Sequence, residues 1–196
     1  MMWSRLKRVV PSPLKRVVRR ALQNAWESTC YRLSRKNSGN GDMRHIIFVC
    51  KGNICRSAFA EHYLRRQVPD GTLRIESCGL DVDQGTFPPA MAVRVAREFG
   101  LDLALHRSKG LVACDVHNAD LVLPMEFWQY LRLTAMFPDE KGKIRLLRDF
   151  APWPVRLFCN IHDPYGFGEN EFRRCFRRLQ KALDGLKNHL SVEGNI

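Results

Sequence analysis

From Met43 onward, short apolar runs alternate with longer stretches in which apolar residues recur every three or four positions. The short runs predict buried β-strands at 45–49, 73–77, 119–123 and 144–147. The longer stretches predict helices at 57–67, 88–99, 126–133 and 169–190. Strands that alternate with helices are typical of a parallel sheet covered on both faces. We therefore predict an α/β fold with three layers around a four-stranded parallel sheet.

The first 42 residues follow a different pattern. The motif LKRVV occurs at 6–10 and again at 14–18, and after Pro13 apolar residues continue at helical spacing as far as Trp26. Lysine and arginine occupy the other side of the helix that this spacing predicts. The polar stretch at 37–42 is typical of a linker. We therefore divide the chain into a basic amphipathic extension over residues 1–42 and a main domain over residues 43–196.

The extension also carries most of the excess positive charge. The whole chain has a net charge of +12, and residues 1–42 contain ten lysines and arginines against two acidic residues. The main domain is therefore only slightly basic. This distribution disfavours a protein that binds specific nucleic acids through its main domain.

The spacing of the cysteines indicates whether the protein has a metal site or a set of disulfides. The seven cysteines form no CxxC pair, and no cysteine–histidine cluster has the spacing of a zinc site. We therefore expect no metal ion and no cofactor, and we expect mostly reduced thiols in a cytoplasmic protein. No apolar run approaches the roughly 18 residues of a membrane span.

The segment CKGNICRS, from Cys50 to Ser57, lies between the first predicted strand and the first predicted helix of the main domain. Ligands of such sheets bind beyond the carboxyl ends of the strands, where Cys50 lies. Backbone N–H groups of a tight strand-to-helix turn, together with the positive end of the helix, form a site for a phosphate-sized anion. The same donors stabilise a thiolate, and the planar fork of Arg56 can hold two phosphate oxygens.

Other residues of this loop suit the same purpose. Gly52 permits tight curvature, Asn53 tolerates a left-handed conformation, and Ser57 can donate a hydrogen bond to a thiolate. We therefore predict Cys50 as a nucleophile and Arg56 as a phosphate clamp. The predicted phosphate-binding residues are Lys51, Gly52, Asn53, Ile54, Cys55, Arg56 and Ser57.

The string VCKGNICRS resembles the phosphate-binding loop of the low-molecular-weight protein tyrosine phosphatases of bacterial type. A second string, Asp163-Pro164-Tyr165-Gly166, resembles the D-P-Y motif near the C-terminus of that family. The similarity covers about residues 43–190. It implies a flavodoxin-like fold of the phosphotyrosine phosphatase I type, with a four-stranded parallel sheet. It also implies that the protein hydrolyses phosphotyrosine in proteins.

The resemblance implies a role for each matching residue. Cys50 attacks phosphorus to form a phosphocysteine intermediate, Arg56 stabilises the charge on the phosphoryl oxygens, and Asp163 acts as general acid and then as general base. Tyr165 forms an aromatic wall of a deep cleft, while Gly166 stands where the family often has a second aromatic residue.

Three further residues complete this prediction. Ser77 and His106 resemble positions at which the family braces the loop asparagine. Cys55 could form a reversible disulfide with Cys50 under oxidation, which would protect the nucleophile from irreversible oxidation.

Two other functions stay open at this point. Arsenate reduction occurs on related scaffolds, but it needs further paired cysteines, and Cys114 has no neighbouring partner in the sequence. A catalytically silent phosphotyrosine-binding module is the second alternative, and the presence of Cys50, Arg56 and Asp163 together argues against it.

For the extension, residues 1–42, several interpretations stay open, of which one is that the basic amphipathic helix lies on an anionic membrane surface at the inner face of the membrane. A docking helix, weak association with nucleic acid, or a disordered tail preceding a true start at Met43 are the alternatives. Bacterial relatives often act opposite tyrosine kinases that control exopolysaccharide export. The resemblance therefore implies a phosphotyrosine protein, such as a bacterial tyrosine kinase, as substrate.

Overall fold

The computed structural model describes residues 12–35, 43–192 and 194, with side chains described from residue 18 in the first helix. The helices and strands are, in chain order, helix α1 (Ser12–Ser34), strand β1 (His45–Cys50), helix α2 (Arg56–Gln67), strand β2 (Arg74–Gly79), helix α3 (Ala90–Arg97), strand β3 (Leu121–Pro124), helix α4 (Phe127–Met136) and helix α5 (Glu169–Val192). Short 3-10 helices at Leu111–Ala113, Lys141–Lys143, Leu147–Phe150 and Val155–Leu157 lie in the connections.

The three strands form one parallel sheet in the order β2-β1-β3. Side chains of β1 alternate between the two faces, as the pleat of a strand requires. Ile46 and Phe48 pack with α2 and α5, while Ile47 and Val49 pack with α1 and α4. The predicted α/β class, with helices on both faces of a parallel sheet, is therefore confirmed.

The predicted fourth strand at 144–147 needs correction. Within the described residues this segment forms a single parallel bridge, between Ile144 and Val122, and Arg145 donates its backbone N–H to the Val122 carbonyl at 3.0 Å. The chain then enters the 3-10 helix Leu147–Phe150, which ends the pairing after one residue. Packing explains that turn, because a Cβ on Gly185 of α5 would lie 1.8 Å from the Phe150 carbonyl oxygen.

Helix α1 extends eight residues beyond the predicted end at Trp26, to Ser34, and its last turns pack on the main domain. Tyr31 is buried against Tyr130, with ring centroids 5.0 Å apart, and its hydroxyl donates to Asp149 Oδ2 at 2.5 Å. The Cys159 backbone N–H donates to Ser28 Oγ at 2.9 Å. The buried aromatic contact of the extension with the domain therefore lies in the part that the apolar pattern did not cover. The first LKRVV copy and the predicted linker at 37–42 lie outside the described residues.

Among the described helices, none combines the length and the apolar character needed to cross a membrane. The most apolar elements are instead the central strands, which are buried on both faces as strands of parallel sheets usually are.

Candidate active site

Strand β1 delivers Cys50 to the carboxyl edge of the sheet, and the chain turns there into α2. Asn53 has a φ of 51°, the left-handed conformation expected for this position. Across the edge, Cys50 is paired in register with Gly79 of β2. A Cβ on Gly79 would lie 2.7 Å from the Lys51 carbonyl oxygen and 3.0 Å from the Asn53 nitrogen. Gly79, which the sequence analysis did not single out, therefore leaves room for the loop.

The thiol of Cys50 is buried and has two donors around it. The Asn53 backbone N–H donates to Cys50 Sγ at 3.2 Å, and Ser57 Oγ lies 3.0 Å from the same sulfur. Both donors can stabilise negative charge on sulfur, which is the state that acts as a nucleophile. The structure therefore brings together the loop residues that the sequence predicted around the thiol.

The side chain of Asn53 holds the loop in shape. Its Nδ2 donates to Ser57 Oγ at 2.9 Å and to Ser77 Oγ at 2.7 Å, while its Oδ1 accepts from the Lys109 backbone N–H at 2.9 Å. His106 Nε2 donates to the Asn53 carbonyl at 2.9 Å. Burial lowers the pKa of His106, so its ring is neutral at neutral pH and can carry the proton on Nε2.

Arg56 begins α2 and is almost completely buried, with 1% of its surface exposed. Its Nη2 donates to Asp163 Oδ2 at 2.5 Å, and its Nη1 donates to Glu126 Oε1 at 2.5 Å and to the Ile161 carbonyl at 3.1 Å. Burial alone lowers its pKa, but the nearby negative charges raise the pKa of this guanidinium above its ordinary value. Its Nε is buried and has no hydrogen-bond partner among the described residues. That Nε–H is a donor which a bound oxyanion could use.

Glu126 is a site residue that sequence reasoning missed. It precedes α4 as part of a capping box with Gln129, and its second carboxylate oxygen lies 3.3 Å from His162 Nδ1. Burial raises the pKa of Glu126, but hydrogen bonds and charge from His162 and Arg56 outweigh burial and hold it below its ordinary value. Glu126 is therefore an ionised carboxylate that holds the guanidinium of Arg56. The signal in the sequence was its position at the start of the helix predicted after the third strand.

His162 continues this network toward the extension. Its Nε2 lies 3.2 Å from Asn24 Nδ2 on α1, and the Asn24 Oδ1 accepts from Asn160 Nδ2 at 3.0 Å. A chain of polar contacts therefore runs from α1 through His162 and Glu126 to Arg56. Sequence reasoning had no means to find it, since Asn24 and Arg56 lie in segments that meet only in the folded chain.

A cleft of about 340 Å³ opens above the loop. Its floor includes Cys50 and Arg56, and its walls include Asp163, Tyr165 and Phe167. Tyr165 is 60% exposed at the rim. Gly166 does stand where a second aromatic residue was expected, but Phe167 lines the cleft from the next position. The cleft therefore has two aromatic side chains in its wall.

Asp163 lies on the segment between the 3-10 helix Val155–Leu157 and α5. The backbone N–H of Ile161 donates to the Met125 carbonyl at 2.8 Å, which ties this segment to the end of β3. The Asp163 carboxylate accepts from Arg56 through Oδ2 and from the Tyr165 backbone N–H, at 3.2 Å, through Oδ1. Tertiary contacts therefore bring a carboxyl group more than 100 positions away from Cys50 into the same cleft.

The seven cysteines are free thiols. Cys55 is buried beside the loop, and burial raises the pKa of its thiol above the ordinary value. The disulfide between Cys50 and Cys55 stays a prediction. Cys114, which has no partner close in sequence, lies beside Cys78 in the fold, and its thiol donates to the Ser77 carbonyl at 3.9 Å. Within residues 12–35, 43–192 and 194, no group of three or more histidine, cysteine or acidic side chains is arranged to hold a metal ion.

The family model for low molecular weight phosphotyrosine protein phosphatases matches residues 45–195. The chain belongs to this family. It is 36% identical over 149 residues to the low molecular weight protein-tyrosine-phosphatase Wzb of Escherichia coli strain K12, which covers 76% of this chain and 97% of Wzb. The predicted resemblance and the predicted protein-tyrosine-phosphatase activity are therefore confirmed.

Solved structures agree with this assignment. The tyrosine phosphatase AmsI of Erwinia amylovora is similar with a TM-score of 0.70 and 29% identity, covering 80% of this chain and 99% of AmsI. The arginine phosphatase YwlE of Geobacillus stearothermophilus is similar with a TM-score of 0.69 and 29% identity, covering 76% of this chain and 94% of YwlE. In both comparisons the share of this chain that is covered is close to the share that the family model matches.

Proposed function

We propose that this phosphatase cleaves phosphotyrosine through a phosphocysteine intermediate on Cys50. The observation that carries the proposal is the convergence of three groups on one cleft: a thiol held by two donors, a buried guanidinium and a carboxyl group. The thiolate attacks phosphorus, a sulfur–phosphorus bond forms, and the bond from phosphorus to the tyrosine oxygen breaks. Loop amides and the Arg56 Nε–H stabilise the charge on the other three oxygens.

Asp163 supplies the proton that the leaving tyrosine oxygen needs. Without substrate its carboxylate accepts from Arg56. A phosphate group in the loop competes for the same guanidinium, which releases the Asp163 carboxyl group from that contact. After the tyrosine leaves, the Asp163 carboxylate accepts a proton from the water that attacks phosphorus, and the sulfur–phosphorus bond breaks. One group therefore serves both half-reactions.

Two substitutions test these roles. With p-nitrophenyl phosphate as substrate, we expect Cys50→Ser to abolish turnover and Asp163→Asn to lower kcat by roughly 10²–10⁴-fold. The thiol nucleophile predicts a phosphorylated cysteine that can be trapped by acid quenching in Asp163→Asn, because hydrolysis is slowed there. Residual activity of Cys50→Ser close to that of the unaltered enzyme would refute the mechanism. Arsenate reduction by the same preparations, without phosphatase activity, would favour the alternative chemistry.

The shape of the cleft supports phosphotyrosine over other phosphorylated side chains. Two aromatic walls, Tyr165 and Phe167, can stack on an aryl ring that reaches the loop at the floor. Because one structural neighbour is an arginine phosphatase, peptides with phosphotyrosine and with phosphoarginine should be compared directly. We expect kcat/KM to be higher for phosphotyrosine, and the difference to shrink in Tyr165→Ala. A higher kcat/KM for phosphoarginine would contradict this specificity.

The physiological substrate we propose is a tyrosine-phosphorylated protein such as a bacterial tyrosine kinase that controls exopolysaccharide export. Family membership and the similarity to Wzb support this proposal. A pull-down with Asp163→Ala, which binds phosphoprotein but hydrolyses it slowly, tests it. We expect tyrosine-phosphorylated proteins to be recovered and to be released by vanadate. Recovery of the same proteins by Cys50→Ser/Arg56→Ala, whose phosphate site is removed, would show that the capture does not involve the active site.

We also propose a cytoplasmic protein that associates with the inner face of the membrane through α1. Four large apolar side chains of this helix are exposed: Val18, Leu22, Trp26 and Leu33. Arg19 and Arg32, also exposed, lie beside them. An apolar stripe with flanking arginines is suited to lie on an anionic surface. The free thiols support the cytoplasmic location.

Co-sedimentation with vesicles containing anionic lipid tests the membrane proposal. We expect the full chain to bind at moderate salt and the double substitution Leu22→Gln/Trp26→Gln to lower binding by about tenfold or more. Leu105→Gln is the control, because Leu105 is an exposed apolar residue of the main domain, outside α1. Equal binding by the α1 variant and the control would exclude α1 as the membrane contact.

A further inference from the structure

A second cavity, of about 460 Å³, lies beside the catalytic cleft. It is bounded by α1, by α5 and by the segment that carries the general acid. Four arginines line it, and we refer to it as the arginine cavity: Arg20, Arg148, Arg174 and Arg178. Asp163 and Phe167 border both this cavity and the cleft. The proposed phosphatase mechanism uses none of the four arginines.

Arg148 is the most unusual of the four. Its side chain is only 8% exposed, yet no carboxylate pairs with it among the described residues. Its Nε donates to the Val155 carbonyl at 2.9 Å and its Nη1 to the Asn160 carbonyl at 2.5 Å. Burial and the nearby charge of Arg178 lower the pKa of Arg148 to about 10. A buried cation held by two neutral acceptors is therefore left without a counter-charge.

The rest of the lining adds positive charge. Neither Arg20 nor Arg178 forms an ion pair within the part of the chain that the structure describes. Arg174 Nη1 does pair with Glu171 Oε1, at 2.6 Å. The other carboxylate of the lining, Asp163, accepts from Arg56 in the cleft. The cavity therefore holds an excess of guanidinium charge that no described side chain neutralises.

We propose that the arginine cavity binds a small phosphate-bearing anion. Guanidinium groups hold phosphate oxygens through paired N–H donors, and a fixed buried arginine with exposed arginines around it can surround one phosphate group. The volume lies within the range of small-molecule sites. Because Arg148 lies deep in the cavity, a compact group such as a terminal phosphate fits better than a protein surface.

Such an anion would be held by residues of three different elements. Arg20 belongs to α1, Arg148 to the 3-10 helix Leu147–Phe150, and Arg178 to α5. A ligand held by all three would fix α1 against the main domain. It would also lie next to the segment of Asp163, so its binding changes kcat and does not simply compete with substrate. The proposal is independent of the phosphotyrosine mechanism, because none of its ligands belongs to the loop at 50–57.

Calorimetric titration of the full chain with methylenediphosphonate tests the proposal, since this probe cannot be hydrolysed. We expect two sites, one in the phosphate-binding loop and one in the arginine cavity. Arg178→Gln should weaken one of them by about tenfold or more and leave the other unchanged. Arg177→Gln is the matched control, because it removes the same charge from the next position of α5 without altering the cavity lining.

A second variant and a kinetic measurement distinguish loss of the proposed site from misfolding of Arg178→Gln. Arg20→Gln changes only an exposed residue of α1 and should weaken the same site. In steady-state assays, methylenediphosphonate should change kcat of the unaltered enzyme, because it binds in the arginine cavity. In Arg178→Gln it should change only KM, because it then binds only in the loop and competes with substrate. A single site in the unaltered enzyme, or equal affinities in Arg178→Gln and Arg177→Gln, would overturn the proposal. Binding of a doubly phosphorylated peptide without binding of methylenediphosphonate would overturn it in favour of a peptide site.

Discussion

At the scale of single residues, the active site depends on how one guanidinium is shared between two carboxylates. Arg56 donates to Glu126 and to Asp163 through its two terminal nitrogens. Glu126 is mostly buried and is held ionised by His162 and Arg56, whereas Asp163 is about a third exposed and borders the cleft. The two carboxylates therefore lie in different surroundings: Glu126 is fixed against the guanidinium, and Asp163 is open to the cleft, as the proposed general acid requires.

The substitution Glu126→Gln tests the positioning function. A neutral amide leaves the buried guanidinium without one of its counter-charges, at a cost of about 1–3 kcal/mol. We expect kcat for p-nitrophenyl phosphate to fall by roughly tenfold. Glu140→Gln serves as the control, since its exposed partner His117 and nearby Lys143 make it a surface ion pair of small effect. Equal kcat values for the two variants would show that Glu126 is not needed to hold Arg56.

The stability of Glu126→Gln should also depend on pH differently from that of the unaltered protein. Because the pKa of Glu126 in the folded protein lies below its ordinary value of 4.5, its ionised form adds stability that is present above pH 4.5. That contribution is lost as the pH falls through the folded-state pKa. We therefore expect urea midpoints between pH 3 and pH 7 to depend less on pH in Glu126→Gln than in the unaltered protein. Parallel curves for the two proteins would contradict this assignment.

At the scale of secondary-structure elements, the junction of α1 with the main domain contains one buried tyrosine. Tyr31 packs edge-on against Phe127 and Tyr130 of α4, and its hydroxyl accepts from the Leu146 backbone N–H at 3.0 Å. Burial and the charge of Asp149 raise the pKa of this hydroxyl, so it stays protonated and donates to that carboxylate. The aromatic contact and the hydrogen bonds together fix the end of α1.

Two substitutions of Tyr31 separate these contributions. Tyr31→Ala removes a buried ring and should lower the free energy of unfolding by about 3–5 kcal/mol. Tyr31→Phe keeps the ring but leaves the buried Leu146 N–H without its acceptor, at a cost of about 1–3 kcal/mol. Denaturant unfolding measures both. Similar small losses in the two variants would indicate that the aromatic packing of α1 adds little to the stability of the main domain.

At the scale of the whole molecule, α1 reaches the active site through polar contacts. Asn24 contacts His162, His162 contacts Glu126, and Glu126 accepts from the guanidinium of Arg56. Each contact joins segments that lie far apart in the chain. The extension is therefore connected to Arg56 by polar contacts as well as to the core by packing.

Replacement of Asn24 tests this link. Asn24→Ala removes the contact with His162, and a loss of about 1 kcal/mol transmitted to Arg56 would lower kcat roughly fivefold. The control is Thr29→Ala, which lies on the exposed side of the same helix and bonds only to the Ala25 carbonyl. Steady-state kinetics at constant temperature measure the effect. If kcat is the same in both variants, α1 contributes to stability without positioning the catalytic arginine.

Local sequence was sufficient for much of the site. The residue types between Cys50 and Ser57 favour one turn, because a glycine, an asparagine with positive φ and a helix start follow each other at fixed spacing. Such preferences act over a few residues and are visible in one sequence. The sheet and the helices were predicted for the same reason, since apolar periodicity reports which side of an element is buried.

Tertiary structure decided what depends on contacts between distant segments. The predicted fourth strand forms only one bridge among the described residues, because the chain turns into a 3-10 helix that packs against Gly185. No pattern in the sequence around 144–147 indicates that contact. The contacts of Glu126 and His162, like the arginine cavity, form only where β3, α1 and α5 come together. Short-range preferences in the sequence therefore determined the phosphate-binding loop and the fold class. The surroundings of Arg56 and the arginine cavity follow instead from how helices and strands pack together. That packing joins residues far apart in the chain, so no local sequence pattern predicts it.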